Sequence, residues 1–194
     1  MDRRLARRNI RTAFVACAIM LFMFAMTFVA ALVYTAWLKR STPQNIVIGG
    51  AAGAVPPLVG WAAVTGHLDP TALYLFAIVF YWTPPHFWAL SLLMKDEYAR
   101  VGIPMMPVVH GETETRRQIL LYTGLLLVLT LLPVVFGFFG VIYAAAALLL
   151  GAAFVSLALR LQRIADRRSA LRTYLFSLAY LALLFCAMVI DARL

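Results

Sequence analysis

Residues 34–57, YTAWLKRSTPQNIVIGGAAGAVPP, decide the class of fold. Lys39 and Arg40 stand between two apolar runs, each long enough to cross a bilayer. Thr42-Pro43 reads as the start of the second helix, with Thr42 as N-cap and Pro43 at the first helical position. A cationic pair beside a helix N-terminus suits an anion held at the membrane surface. The plainer reading makes Lys39 and Arg40 topology anchors under the positive-inside rule. In the second run Gly49 and Gly53 form a Gly-x-x-x-Gly pair, the spacing of closely packed membrane helices. Pro56-Pro57 is expected to kink or break that helix at mid-depth. These glycines follow a helix start, with no Lys-Ser/Thr after them, so they are not a phosphate loop.

Composition extends the same conclusion to the whole chain. Of 194 residues 64% are hydrophobic, against about 45–50% in soluble domains, and mean hydropathy is +0.89. So much apolar surface cannot be hidden in a soluble core of this size, and lipid must be the solvent. Six runs meet the length needed for a helical crossing, at about 13–37, 44–65, 70–92, 118–137, 139–160 and 172–190. Their periodicity is helical, so the expected fold is an all-α polytopic membrane bundle of about six transmembrane helices. The net charge of +9 does not indicate nucleic acid, because the arginines cluster between spans and at the N-terminus rather than along a soluble face. Cys17 and Cys186 fall inside apolar runs and are expected to be small buried side chains, without a disulfide or metal. The first run is too long for a cleavable signal peptide and lacks a small-residue cleavage site.

The connections alternate in length and charge. Gly66-His67-Leu68-Asp69 is a tight turn, with Asp69 as N-cap and Pro70 as first residue of the next helix. Residues 137–140 form another uncharged turn. Lys39-Arg40, segment 93–117 and segment 160–172 are the basic connections, and the positive-inside rule puts them in the cytoplasm. Segment 160–172 reads as a solvated loop without chemistry. Arg3, Arg4, Arg7, Arg8 and Arg11 conflict with this alternation, since they precede the first span on the opposite side. Either the first span does not cross, or sequence upstream normally fixes the topology; the second is expected.

Chemistry concentrates in two places. The third span ends YWTPPHFWAL, residues 81–90. Its two prolines free the carbonyls of Phe80 and Tyr81, and His86 follows within or near the hydrocarbon. An intramembrane histidine is either functional or a neutral side chain bonded to a freed carbonyl. The next segment carries Asp96 and Glu97, the only adjacent acids in the chain, on the membrane side of Lys39 and Arg40. Carboxylates suit Mg²⁺, which typically takes one or two of them together with substrate phosphates. The alternative is a surface salt bridge between Asp96 and Arg100. Thr115-x-x-Gln118 reads as a capping box for the fourth span, with Glu112 and Glu114 solvated. One face thus offers cations, a helix start and acids above an aromatic, Met-rich bundle. That chemistry suits an amphiphile with a diphosphate head, whose leaving group would be stabilised by cations and whose allylic cation would need a dry cavity.

Four blocks closely resemble the protohaem IX farnesyltransferases, a branch of the UbiA-type intramembrane prenyltransferases. They are residues 34–50, Pro56-Pro57 through Trp61, residues 82–90, and Tyr98 running into Gly102-Ile103-Pro104-Met105-Met106-Pro107. The resemblance covers the chain from about residue 20 onward. It implies a single membrane-embedded prenyltransferase domain over 1–194, multi-pass in a bacterial inner membrane, with 93–117 as a cytoplasmic loop carrying the acidic motif. It implies farnesyl transfer from farnesyl diphosphate to a vinyl group of haem b, giving haem O, with Mg²⁺ as cofactor. Haem A synthase or a terminal oxidase in assembly would be protein partners. By position, Lys39 and Arg40 would hold the diphosphate, with Asn45 and Tyr34 lining the same mouth, and Asp96 and Glu97 would bind the metal. Tyr81, Trp82, Tyr98 and Arg100 would line the substrate site, and His86 would face haem; that His86 is a candidate iron ligand is a separate hypothesis, not a rule of the family. The acidic motif is shorter than the Asp-x-x-x-Asp of quinone-precursor prenyltransferases. The family bundle has nine helices and a first Asp-rich motif between helices two and three; no such motif occurs here, and the chain resembles helices four to nine. The competing readings are an inactive fragment, a non-catalytic haem-binding remnant, a quinone-precursor prenyltransferase, and a transporter, whose inverted repeats are not found.

Overall fold

The computed structural model describes Phe14 and residues 42–192. The chain divides into two compact units, Met1–Ser41 and Thr42–Leu194. Residues 34–41, with Tyr34, Lys39 and Arg40, lie outside the described residues, as do Cys17 and almost all of the first expected span. The second unit holds α1 (Asn45–Gly53), α2 (Val55–Thr65), α3 (Pro70–Leu93), α4 (Lys95–Arg100), α5 (Met106–Val109), α6 (Gly111–Val135), α7 (Val141–Ile164) and α8 (Arg167–Asp191). Among the described residues every element is helical.

Among the described residues four segments are long and apolar enough to cross a membrane: α1 with α2, α6, α7 and α8. The α3 helix has 24 residues, about 36 Å at 1.5 Å per residue, which also suffices to span. Its Tyr, Trp, Thr, Pro and His residues lower its mean hydropathy and keep it outside that apolar set. It packs against α1, α2, α4, α5, α6 and α8, so its Thr83, Pro84, Pro85 and His86 are buried against protein rather than lipid. Two apolar clusters flank it. One gathers Ile46, Trp88, Met105, Met106 and Ile119; the other gathers Ile78, Leu126, Tyr143, Phe154, Tyr180 and Leu184.

Local signals act as their chemistry requires. Gly66, at φ 78°, ends α2, and Asp69 Oδ1 accepts the Ala72 N–H at 3.1 Å to cap α3. Gly137, at φ 73°, turns the chain between α6 and α7. The second expected span divides at Ala54, with Pro56-Pro57 opening α2. The Thr83 hydroxyl bonds to Val79 O at 2.8 Å, and α3 runs unbroken through Pro84-Pro85.

Several expectations are corrected. The helix of the second expected span starts at Asn45, not Pro43; Thr42 Oγ1 instead accepts the Gln44 N–H at 3.2 Å, a turn ahead of the helix. The close helix approach uses Gly50, where an added Cβ would stand 3.1 Å from Thr83 Cγ2, whereas Gly53 meets nothing within 4 Å. No capping box opens α6. The helix begins at Gly111, Thr115 Oγ1 donates to Gly111 O, and Gln118 Nε2 donates to Glu114 Oε1. Segment 160–172 is no loop, because α7 reaches Ile164 and α8 begins at Arg167. Its arginines therefore sit on helix ends. Cys186 is free and exposed on α8.

Candidate functional site

The predicted residues fall into two groups on this scaffold. The first surrounds the start of α1 and the α4–α5 connection. Asn45, fully buried, donates from Nδ2 to Met105 Sδ at 3.7 Å. Sulfur is a weak acceptor, but the contact ties α1 to the chain that follows Tyr98. Tyr98 and Ile103 pack on the apolar cluster containing Ile46 and Met105. Burial pushes the Tyr98 hydroxyl above its usual pKa, so it stays neutral and can serve as a hydrogen-bond donor at physiological pH.

Asp96 and Glu97 occupy the first turn of α4, where carboxylates are favoured by the helix dipole. Both are exposed, and they have different neighbours. Glu97 pairs with Arg100 at 3.8 Å. Arg100 Nε lies 3.4 Å from the Asp96 backbone oxygen, so the expected Asp96–Arg100 side-chain pair is replaced by Glu97–Arg100. With both partners exposed, that pair contributes no more than about 1 kcal/mol. Asp96 instead lines a cavity of about 310 Å³ with Lys95, Glu112, Arg116, Asp166 and Arg167. Inside it Glu112 joins Lys95 at 3.0 Å and Arg116 at 3.3 Å, so Glu112 is paired rather than merely solvated. Asp166 accepts the Ser169 N–H at 2.8 Å, and that hydrogen bonding holds its carboxyl below the usual range.

The second group lies on α3. Tyr81 packs against Tyr122, ring centres 6.1 Å apart, and Tyr122 meets the Trp88 ring edge-on at 5.1 Å. This aromatic run joins the two groups, since Trp88 belongs to the cluster around Met105. Trp82 and His86, one turn apart, both reach α8. Trp82 Nε1 donates to Ser177 O at 2.8 Å, and His86 Nδ1 lies 2.7 Å from Ser177 Oγ. His86 is only 6% exposed and stacks on Trp82 and Tyr174, with ring centres at 4.4 and 4.9 Å. Its partner is therefore a serine hydroxyl and not a carbonyl freed by proline. Sequence reasoning missed Ser177 and Tyr174, because a serine inside an apolar helix carries no distinguishing local signal.

Among the described residues no three His, Cys, Asp or Glu side chains gather to hold a metal ion. Asp96 and Glu97 nevertheless fit Mg²⁺ in a limited way. Each offers exposed carboxylate oxygens that can complete the shell of an ion already bound by phosphate oxygens, and neither forms a protein cage.

The UbiA prenyltransferase family matches residues 10–186. The Protoheme IX farnesyltransferase of Methylococcus capsulatus is 56% identical over 161 residues, covering 83% of this chain and 54% of that protein. That of Thiobacillus denitrificans is 55% identical over 166 residues, covering 85% of this chain and 56% of the relative. The Roseiflexus castenholzii protein of the same name is 58% identical over 159 residues, 82% of this chain and 30% of the relative. The chain thus spans about half the length of the first two relatives and less of the third. No solved structure matches.

Proposed function

The chain belongs to the UbiA prenyltransferase family, and from that premise we propose that it serves the transfer of a farnesyl group from farnesyl diphosphate to a vinyl group of haem b, giving haem O. The observation that carries this reading is the identity of 55–58% to relatives named Protoheme IX farnesyltransferase. Four membrane-length apolar segments among the described residues and family membership make the chain an integral membrane protein. We place it in a bacterial inner membrane, with the basic ends of α4, α6, α7 and α8 toward the cytoplasm.

Breaking the allylic carbon–oxygen bond sends its electron pair to the departing diphosphate; the vinyl π electrons then form the new carbon–carbon bond, and the cation left on the other vinyl carbon is captured by water, which loses a proton to leave a hydroxyl group. Lys39 and Arg40 are assigned to the diphosphate, which accumulates charge as it leaves. Asp96 and Glu97 are assigned to the Mg²⁺–diphosphate complex, Mg²⁺ supplying charge neutralisation when bound. Asn45, Tyr98 and Arg100 are assigned to the polar mouth of the site. The aromatic run of Tyr81, Tyr122 and Trp88 suits the isoprenoid, because apolar walls keep water from the allylic cation. Trp82 and His86 are assigned to the haem side, with His86 as a candidate ligand to iron.

The test offers membranes carrying the chain labelled farnesyl diphosphate, Mg²⁺ and two acceptors, haem b and a hydroxybenzoate-type quinone precursor. Label in a haem product supports the proposal. Label in the aromatic acid would transfer the chain to quinone-precursor chemistry.

A further inference from the structure

Ser177 Oγ lies 2.6 Å from Tyr174 O and 2.7 Å from His86 Nδ1. A carbonyl oxygen brings no proton, so an oxygen–oxygen contact this short requires the serine proton between the two atoms. That proton is the only one Ser177 has. Toward His86 the serine oxygen can then only accept, and Nδ1 must carry the hydrogen. A neutral imidazole with its proton on Nδ1 has its lone pair on Nε2.

The surroundings hold the ring in place. His86 stacks on Trp82 and Tyr174, and Phe87 meets it edge-on with ring centres 5.0 Å apart. Trp82 is itself fixed by its bond to Ser177 O, so one residue of α8 anchors both rings of α3. A serine in an apolar helix commonly bonds its own preceding carbonyl, and Ser177 does so. The additional feature is a histidine from another helix on the same hydroxyl, with Nε2 unpaired among the described residues.

We propose that Ser177 is a positioning residue, which locks His86 in the Nδ1–H tautomer and keeps the Nε2 lone pair available to the acceptor substrate. Only the identity of that acceptor as haem rests on the proposed function. The role parallels the outer partners of ligating histidines, whose loss typically weakens metal binding by about 10–100-fold.

The test has two arms on the detergent-solubilised chain. In the first, nitrogen-15 spectra of labelled histidine report which imidazole nitrogen of His86 carries the proton, with His86→Gln identifying the resonance. The wild type should show Nδ1–H, Ser177→Thr should retain it, and Ser177→Ala should lose it. An Nε2–H wild type, or a Ser177→Ala variant that keeps Nδ1–H, overturns the role of Ser177 whatever the acceptor. In the second arm ferric haem is titrated and the nitrogen-ligand absorption bands are followed. Both His86→Gln and Ser177→Ala should bind about 10-fold more weakly or worse, with Ser177→Thr restoring affinity. Haem spectra and affinity indifferent to His86→Gln would overturn haem as the ligand of Nε2, and would do so independently of the tautomer result. Retained helical circular dichroism, with the threonine rescue, separates either loss from misfolding.

Discussion

Replacing Gly50 by valine inserts a branched side chain where α1 and α3 approach most closely. The first added carbon alone would stand 3.1 Å from Thr83 Cγ2 and 3.2 Å from Thr83 Cβ, against an ordinary contact of 3.4–4 Å. Thr83 cannot swing aside freely, because its hydroxyl is bonded to Val79 O at 2.8 Å. Alanine would therefore need a give of about 0.3 Å, and its cost is opposed by the roughly 0.5–1 kcal/mol that a helix gains when glycine becomes alanine. The two effects nearly cancel. Valine adds two methyl groups against the same wall, and overpacking of that kind costs about 1–3 kcal/mol, which outweighs its smaller helix gain. Gly53→Val is the control, since nothing described stands within 4 Å of Gly53. In detergent, followed by thermal loss of helical circular dichroism, Gly50→Val should melt roughly 3–8 °C below the parent, at about 2–4 °C per kcal/mol for a chain of this size. Gly53→Val should remain within about 1 °C. Equal melting of the two variants, or a larger loss at Gly53, would refute the assignment of the close approach to Gly50.

Asp191, at the end of α8, accepts the backbone N–H groups of Gly140 and Tyr143 at the start of α7; Asp191→Ala should lower stability by about 1–2 kcal/mol, with Asp191→Asn intermediate, in the same melting assay. The Asp166 carboxyl is held low by Ser169, so its contribution is present above about pH 4 and is lost as pH falls through the lowered folded-state value. Asp166→Asn should accordingly flatten the acid-side fall of melting temperature. Asp96→Asn should reduce prenyl transfer roughly tenfold or more, equivalent to about 1.4 kcal/mol, whereas Glu97→Gln, which gives up a pair with Arg100, should cost only a few-fold in the same product assay.

What could be read from the sequence was what nearest neighbours determine. Asp69-Pro70 caps α3 because a carboxylate one residue before a proline satisfies the first free N–H groups wherever it occurs. Gly66 and Gly137 turn the chain because their positive φ is costly for other residues. The errors arose where a distant partner decides. Gly53 belongs to a pair with the spacing of a packing motif, yet the face of α1 that meets Thr83 is set by α3, which selects Gly50. Thr115 and Gln118 match a capping box by type and spacing. However, Gly111, at φ 81°, permits the turn into α6 four residues earlier, so Thr115 lies inside the helix. Asp96 and Glu97 were recognisable as candidates, but their division between a cavity and Arg100 depends on the fold bringing Asp96 into one cavity lining with Glu112 of α6 and Arg167 of α8. His86 stood out as a histidine in an apolar helix. Its partner Ser177, 91 residues away, could be found only once α8 was packed on α3.

The most direct measurement of the central claim is haem product analysis of membranes holding this chain, haem b, farnesyl diphosphate and Mg²⁺. It should be done with the chain alone, and with the portion of the Methylococcus capsulatus relative that its match to this chain leaves out. Haem O is expected in the complemented membranes, and Lys39→Ala in this chain should abolish it. No haem O in either arrangement, under conditions where the whole relative produces it, would contradict the proposed function.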